Sequence, residues 1–169
     1  MSRLTPGDGS PNPAGGPLVP GQPDADLHWL RQAIELSRDC PPSASAFSVG
    51  AVLVSEAGTV IATGYSRELD PKDHAEEVAL ARVGSDELLS RATMYSSLEP
   101  CLHRASRPRS CAELIIEAGI GRVVIAWLEP PLFAEGGGAA ALRQAGVVVD
   151  EIPWLAELAR SVNAHLLPG

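Results

Sequence analysis

Two short segments place the tightest demand on how this chain can fold. They are His74-Ala75-Glu76-Glu77, and Pro100-Cys101 with nine residues between Cys101 and Cys111. If these residues act together, the fold must bring one imidazole, two thiols and a carboxylate from separate stretches to one place. Histidine nitrogen and cysteine thiolate are favoured ligands of zinc. Three protein ligands leave a position for water, whereas a structural site usually has four. Taken singly, His74 and Glu76 also read as a surface histidine and a first-turn acid favoured by the helix dipole. The cysteines likewise read as buried apolar residues or a disulfide pair. The combination of His-x-Glu with a downstream Pro-Cys favours the metal reading. In it His74, Cys101 and Cys111 hold Zn2+, and Glu76 stays outside the ligand set.

The surroundings of these residues are the ends of regular elements. Residues 75–83 are expected to form a helix capped by Asp73, and residues 93–98 a strand that Pro100 terminates. Residues 111–118 form a helix closed by Gly119. Its N-terminus lowers the Cys111 thiol pKa and favours the thiolate that binds metal. Upstream, Leu27, Leu30, Ala33 and Ile34 recur at helical spacing from Asp24, with Asp24 or Asp26 as the cap and Pro41-Pro42 as the stop. Residues 48–55 and 59–64 read as a β-hairpin around Glu56-Ala57-Gly58. Downstream come a strand over 122–127, a short helix over 139–145, a strand over 147–149 and a helix over 154–166. Gly136-Gly137-Gly138 lacks the Lys-Ser/Thr of a phosphate loop and reads as a helix entry. A hairpin followed by alternating helices and strands predicts an α/β domain of three layers. Its mixed β-sheet of about five strands lies between helices.

With 169 residues there is room for one domain with its own core. Aromatic residues make up only 4%, so that core must be aliphatic. Residues 1–23 hold six prolines and five glycines and bury too little apolar surface to offset their ordering entropy. They are expected to be a disordered tail before a domain over 24–169. A net charge of −8 argues against nucleic acid, whose phosphates call for a basic face. No apolar run reaches the ~20 residues of a membrane span, and no secretory leader pattern is visible. Three cysteines do not make a disulfide framework, so the expected location is cytoplasmic. Cys40 has no partner pattern and reads as a structural thiol.

The segment between the cysteines carries Arg104, Arg107 and Arg109. Arginine suits phosphate or planar polar groups because its fork donates in pairs. A solvated basic loop is the alternative for each. His103, as a fourth ligand, would close the metal to water and is not expected to bind it.

At these residues the chain resembles the cytidine-deaminase-like superfamily, in which His-x-Glu and Pro-Cys…Cys carry the zinc chemistry. Within it, the sequence is similar to the pyrimidine deaminases of riboflavin biosynthesis, roughly over residues 46–150. Leu98-Glu99-Pro100-Cys101, Glu129-Pro130-Pro131-Leu132-Phe133 and Leu142-Arg143-Gln144-Ala145-Gly146-Val147 resemble the bacterial type. Ala46-Phe47-Ser48-Val49-Gly50-Ala51-Val52, Gly64-Tyr65-Ser66-Arg67-Glu68-Leu69, His74-Ala75-Glu76-Glu77 and the nine-residue gap resemble the fungal type. The chain departs from the bacterial pattern at Ala46-Phe47, where an Asn-Pro pair stands, and at Arg109-Ser110, where Pro-Pro precedes the second cysteine. The resemblance implies Zn2+ on His74, Cys101 and Cys111, with Glu76 as proton shuttle. It places Ser48, Ser66, Arg104 and Ser106 on the substrate side. It implies hydrolytic deamination of a diaminopyrimidinone bearing a ribosylamino or ribitylamino phosphate, with release of ammonia. It also implies a homodimer or higher homo-oligomer. With only about twenty residues after the last strand, the reductase domain of the bifunctional bacterial enzymes is not expected.

Other readings compete. One is a deaminase of a different free base or nucleoside, of the cytosine, cytidine or guanine type, in salvage or secondary metabolism. Another is a zinc-stabilised binding protein without turnover. Editing of tRNA or DNA is opposed by the acidic charge and the lack of a basic, aromatic-interleaved face.

Overall fold

A computed structural model describes residues 15–84, 87–133 and 136–168. The expected disordered tail falls, over residues 1–14, outside the described residues. Residues 18–22 are tied to the body. The Trp29 indole N–H donates to the Leu18 carbonyl at 2.9 Å, and Gly21 N–H donates to Asp26 Oδ1 at 3.1 Å.

The elements follow in the order α1 Pro23–Ser37, β1 Gly50–Val54, β2 Val60–Tyr65, α2 Ala75–Ala81, β3 Thr93–Ser96, α3 Cys111–Ala118, β4 Arg122–Ile125, α4 Gly138–Gln144, β5 Val148–Glu151 and α5 Ala156–Val162. The five strands form one mixed sheet in the order β2-β1-β3-β4-β5. Strand β1 pairs antiparallel with both β2 and β3, whereas β3, β4 and β5 run parallel. Helices α2, α3 and α4 pack side by side on one face, and α1 with α5 covers the other. The three-layer α/β architecture with a five-stranded mixed sheet is therefore present as expected. The core is aliphatic, built from Leu30, Ile34, Val52, Leu53, Met94, Ile115, Val123, Ile125 and Leu142. Among the described residues, no helix is long and apolar enough to cross a membrane.

Differences from the expected elements have local causes. Helix α1 starts at Pro23, whose fixed φ suits the first helical position, after Gln22 as N-cap. Asp24 and Asp26 do not cap it. Asp26 is buried, and it accepts hydrogen bonds from Tyr95 Oη at 2.6 Å and from both Arg122 terminal nitrogens at 2.9 and 2.7 Å. Asp73 does not cap α2 either. His74 occupies the N-cap position, and Asp73 Oδ2 accepts the Leu69 and Asp70 N–H groups. The expected C-terminal helix is broken. A single 3-10 turn at Pro153–Leu155 precedes α5, and another at Ala164–Leu166 follows it. Asn163 leaves the helical path, and its amide bonds both Ser48 N–H and Ser48 C=O, 115 residues away in sequence.

One glycine on β2 sets the distance between the sheet and α2. A Cβ at Gly64 would sit 2.4 Å from the Ala75 carbonyl and 2.7 Å from Ala79 N. Only glycine lets the first turn of α2 lie this close to the sheet, and that turn carries Glu76.

Candidate metal centre and active site

The site lies where the N-termini of α2 and α3 meet the carboxyl end of β3. His74 is the residue before α2, Cys101 follows the turn after β3, and Cys111 is the first residue of α3. Ser110 caps α3 by accepting the Glu113 N–H at 3.1 Å, while Glu113 accepts the Ser110 N–H at 2.7 Å. This reciprocal box fixes the helix start that presents Cys111. The Cys111 backbone N–H in turn points at Cys101 Sγ, 3.3 Å away.

His74 Nδ1 lies 3.6 Å from Cys101 Sγ and 3.4 Å from Cys111 Sγ. All three ligand atoms fall within 4.8 Å of one another. Tetrahedral zinc, with bonds of ~2.3 Å to sulfur and ~2.0 Å to nitrogen, would hold sulfur and nitrogen about 3.5 Å apart. The triad therefore fits zinc by donor set and by spacing. Both cysteines are free and buried. A hydrogen bond from the Cys111 thiol, with others from His74 and the Cys111 N–H, holds the Cys101 thiol well below the usual cysteine range, against the opposing effect of burial. The same hydrogen bond, with burial, pushes the Cys111 thiol up, against the lowering expected of a helix N-terminus, so the site favours one of the two thiolates that metal binding needs. His103 is exposed on the cavity wall and takes no part in this group.

Glu76 is buried beside the triad, 3% exposed, and no ligand atom of the cluster belongs to it. Its carboxyl is pushed above the usual range by burial, with the His74 charge and a hydrogen bond to Ser96 pulling the other way. His74, Cys101 and the Glu76 carboxyl face a cavity of about 400 Å³, with Cys111 buried behind them. Its walls include Phe47, Ser66, Lys72, Arg104, Ser106 and Glu129.

Of the residues expected on the substrate side, Ser66, Arg104 and Ser106 reach the cavity wall. The Ser66 hydroxyl accepts Val49 N–H at 2.9 Å. Ser48 turns elsewhere: its hydroxyl accepts Arg67 Nη2 at 2.9 Å, and its backbone is held by Asn163. The arginines between the cysteines are paired with acids. Arg104 meets Glu77, Arg107 meets Asp70 and Asp73, and Arg109 meets Glu117. Cys40 is half-buried, its thiol 3.5 Å from the Val49 carbonyl.

Sequence reasoning did not single out Glu99 and Glu129. Glu99 is buried and accepts Glu129 N–H at 3.1 Å and Ala139 N–H at 2.9 Å, so it joins the strand ends to the start of α4. The Glu129 carboxyl faces the cavity. Burial, reinforced by the negative charge of Cys101, Glu76 and Glu99, pushes its pKa up to about 7. Their available signal was position, since both lie just past the carboxyl ends of neighbouring parallel strands, where α/β sheets place ligands.

Residues 23–127 match the family described as the cytidine and deoxycytidylate deaminase zinc-binding region. The diaminohydroxyphosphoribosylamino-pyrimidine deaminase of Schizosaccharomyces pombe is 38% identical over 142 residues, covering 82% of this chain and 35% of that protein. The solved Acinetobacter baumannii RibD superposes with a TM-score of 0.71 at 33% identity, over 84% of this chain and 39% of the other. The Rib2 deaminase of Aspergillus oryzae, as a C-terminal deletion mutant, gives a TM-score of 0.69 at 27% identity, over 81% and 89% of the two chains. The chain spans about a third of the length of the curated relatives it matches, 35% and 31% for two of them. With His74, Cys101 and Cys111 in zinc-binding geometry and Glu76 buried beside them, the chain belongs to the cytidine and deoxycytidylate deaminase zinc-binding family.

Proposed function

We propose that this chain hydrolytically deaminates a diaminopyrimidinone carrying a ribosylamino or ribitylamino phosphate, as a step of riboflavin biosynthesis, and releases ammonia. The observation that carries the chemistry is the buried Glu76 carboxyl beside a His/Cys/Cys triad at the floor of an open cavity. Zinc held by His74 Nδ1, Cys101 Sγ and Cys111 Sγ would supply a Lewis acid at which water is acidified to a pKa near ~7. Glu76 takes a proton from the attacking water and delivers it to the ring nitrogen, then takes the second proton from the hydroxyl now on the ring carbon and delivers it to the departing amino group. Water adds its oxygen to the ring carbon, the C–N bond breaks, and ammonia leaves. Burial suits Glu76 to this work by raising its proton affinity towards the working pH.

The choice of substrate is supported by the names of the relatives. The cavity supports it with two nitrogen-bearing side chains, Lys72 and His103, on its wall. Among the described residues neither side chain has a polar partner, so both are available to an anionic end of the substrate. Among the described residues, the triad cysteines are free thiols, in keeping with a cytoplasmic reaction. Self-association belongs to the same proposal, by likeness to the superfamily.

The test is an ammonia-release screen over ribosylamino and ribitylamino pyrimidines, each with and without the phosphate, beside cytosine, cytidine and guanine. Turnover confined to the phosphorylated diaminopyrimidinones is expected. Turnover of cytidine or guanine without turnover of these compounds would overturn the substrate. Equal rates for wild type and Glu76→Ala on every compound would overturn catalysis itself.

A further inference from the structure

The deamination chemistry uses the first carboxylate of His74-Ala75-Glu76-Glu77 and leaves the second unexplained. Glu77 points away from the cavity floor, into the junction between the α2 entrance and the segment joining the two cysteines. Its Oε1 accepts the backbone N–H of His74 at 2.8 Å. The same oxygen accepts Arg104 Nη2 at 3.1 Å, and that nitrogen also donates to the carbonyl of Lys72, two residues before His74, at 2.6 Å. Arg104 Nε reaches Ser106 Oγ at 3.3 Å. From the other side, Arg107 Nε stands 3.7 Å from Glu77 Oε2, and its Nη2 donates to Asp73 Oδ1 at 3.3 Å.

The contacts of Arg104 and Arg107 with Lys72, Asp73 and Glu77 join two chain segments that both carry metal ligands. His74 is on one, and Cys101 and Cys111 flank the other. Nine residues separate the cysteines, and nothing in their sequence imposes regular structure on them. The segment is nevertheless pinned at Arg104 and Arg107 to the stretch immediately before and after His74. The Arg104 side chain is 4% exposed and that of Glu77 17%, so this pair is largely removed from water and is not a screened surface contact. His74 Nδ1 already stands at metal-ligand spacing from both sulfurs.

We propose that Glu77, gripped by Arg104 and Arg107, is a positioning residue that holds the His74 and cysteine segments in metal-binding geometry before the ion arrives. The clamp raises zinc affinity by limiting how far the three ligands drift apart in the metal-free protein. It also assigns Arg107, and Arg104 through Nε and Nη2, to the metal site's frame, leaving Arg104 with only its buried Nη1 unpartnered among the described residues. The inference rests on the zinc centre and not on the substrate named above. It is therefore read without turnover and stands or falls separately from the ammonia screen.

The experiment is a zinc titration of the full chain, stripped by a chelator, against a chromophoric competitor, followed by the absorption spectrum of the Co2+-loaded protein. Glu77→Ala and Arg104→Gln are expected to weaken zinc binding by about 10–100-fold, the usual consequence of removing a group that orients a metal ligand. Glu77→Gln keeps an oxygen for the His74 N–H but loses the charge, and should fall between Glu77→Ala and wild type. Arg104→Lys should recover part of the loss. The double variant Glu77→Ala/Arg104→Gln should be no worse than Glu77→Ala, because the two side chains act as one unit. Wild-type zinc affinity in variants with unchanged circular dichroism would overturn the proposal. So would an Arg104→Gln variant that keeps its zinc affinity and raises KM only for phosphorylated substrate. If Glu77→Ala does not fold, Arg104→Gln and Arg107→Gln cut the clamp from the loop side and leave the start of α2 intact. Unchanged affinity in that pair sinks the idea equally.

Discussion

Ser96 Oγ lies 2.7 Å from Glu76 Oε1 and 2.8 Å from the Leu98 carbonyl oxygen. A hydroxyl has one proton to give, and a carbonyl can only accept. The Ser96 hydroxyl therefore has one proton for two acceptors, and its donation to Glu76 favours the charged carboxylate. Burial opposes this and pushes the Glu76 carboxyl above the usual range. A group that holds and yields a proton in this environment is a general acid and base. Replacing Glu76 by Gln should leave zinc content unchanged and lower kcat by about 10²–10⁴-fold, the range for losing such a group. Metal analysis and ammonia release on the same preparation check this. A Glu76→Gln variant that retains most of its turnover would show that another residue moves the proton.

Zinc removal should loosen the whole domain and not the site alone, because its three ligands sit on separate elements of the fold. An ion that binds only the folded chain stabilises it by ~2.7 kcal/mol when present at about a hundred times Kd. The thermal midpoint should therefore drop on chelation and recover on adding zinc. Cys111→Ser should behave as the stripped protein in both conditions. Identical midpoints with and without chelator in wild type would mean that the triad holds no ion in solution.

What could be read in advance, and what could not, divides along physical lines. His74, Glu76, Cys101 and Cys111 were legible because their residue types are costly to place without a task and because each abuts the end of a periodic element. The sheet was legible because its strands are short runs of Val, Ile and Leu punctuated by glycine and proline. Partners distant in sequence were not legible. Asp26 resembles a helix cap until Arg122, ninety-six residues away, is brought against it. Arg104 and Arg107 resemble phosphate ligands until the fold sets Glu77 and Asp73 beside them. The break at Asn163 depends on Ser48, whose backbone it bonds from 115 residues away in sequence. Such pairings are made by tertiary packing, and local propensity carries no trace of them.

Asp26, remote from the metal, makes stability depend on acid. Burial pushes its carboxyl up, but hydrogen bonds from Arg122, Tyr95 and Gly21 outweigh that and hold it below the usual carboxylate range. A carboxyl with a depressed pKa in the folded state contributes stability that is present above the unfolded value, near ~3.9. That contribution is lost as pH falls through the folded value. Asp26→Asn removes it at every pH, but Arg122 keeps Asp150 at 2.9 Å, so the cost should fall below the ~3–5 kcal/mol of stranding a buried charge. Urea unfolding across acid pH should show wild type converging on Asp26→Asn below pH ~4. Parallel curves for the two proteins over that range would exclude the pair as a source of acid lability.

The approach of α4 to the metal turn gives a steric test. Gly138 is the first residue of α4, and a Cβ built on it would lie 1.7 Å from the Pro100 carbonyl oxygen. No real contact is that short, so Gly138→Ala must displace either the helix start or the Pro100-Cys101 turn. The helix start is held by Glu99, whose Oε2 accepts the Ala139 N–H at 2.9 Å. Glu99 is itself fixed by the Glu129 N–H at 3.1 Å, and the turn is therefore the part that yields. Moving it shifts Cys101 relative to His74 and Cys111. Gly138→Ala should lose about 1–3 kcal/mol of stability, as overpacked sites do, and bind zinc more weakly than wild type. Gly84→Ala, whose added Cβ would meet nothing within 4 Å, serves as the comparison and should change neither quantity. Zinc competition and urea unfolding on the two variants separate the outcomes. If Gly138→Ala loses stability but keeps wild-type zinc affinity, the strain has gone into the helix, and the Pro100-Cys101 turn is the stiffer element.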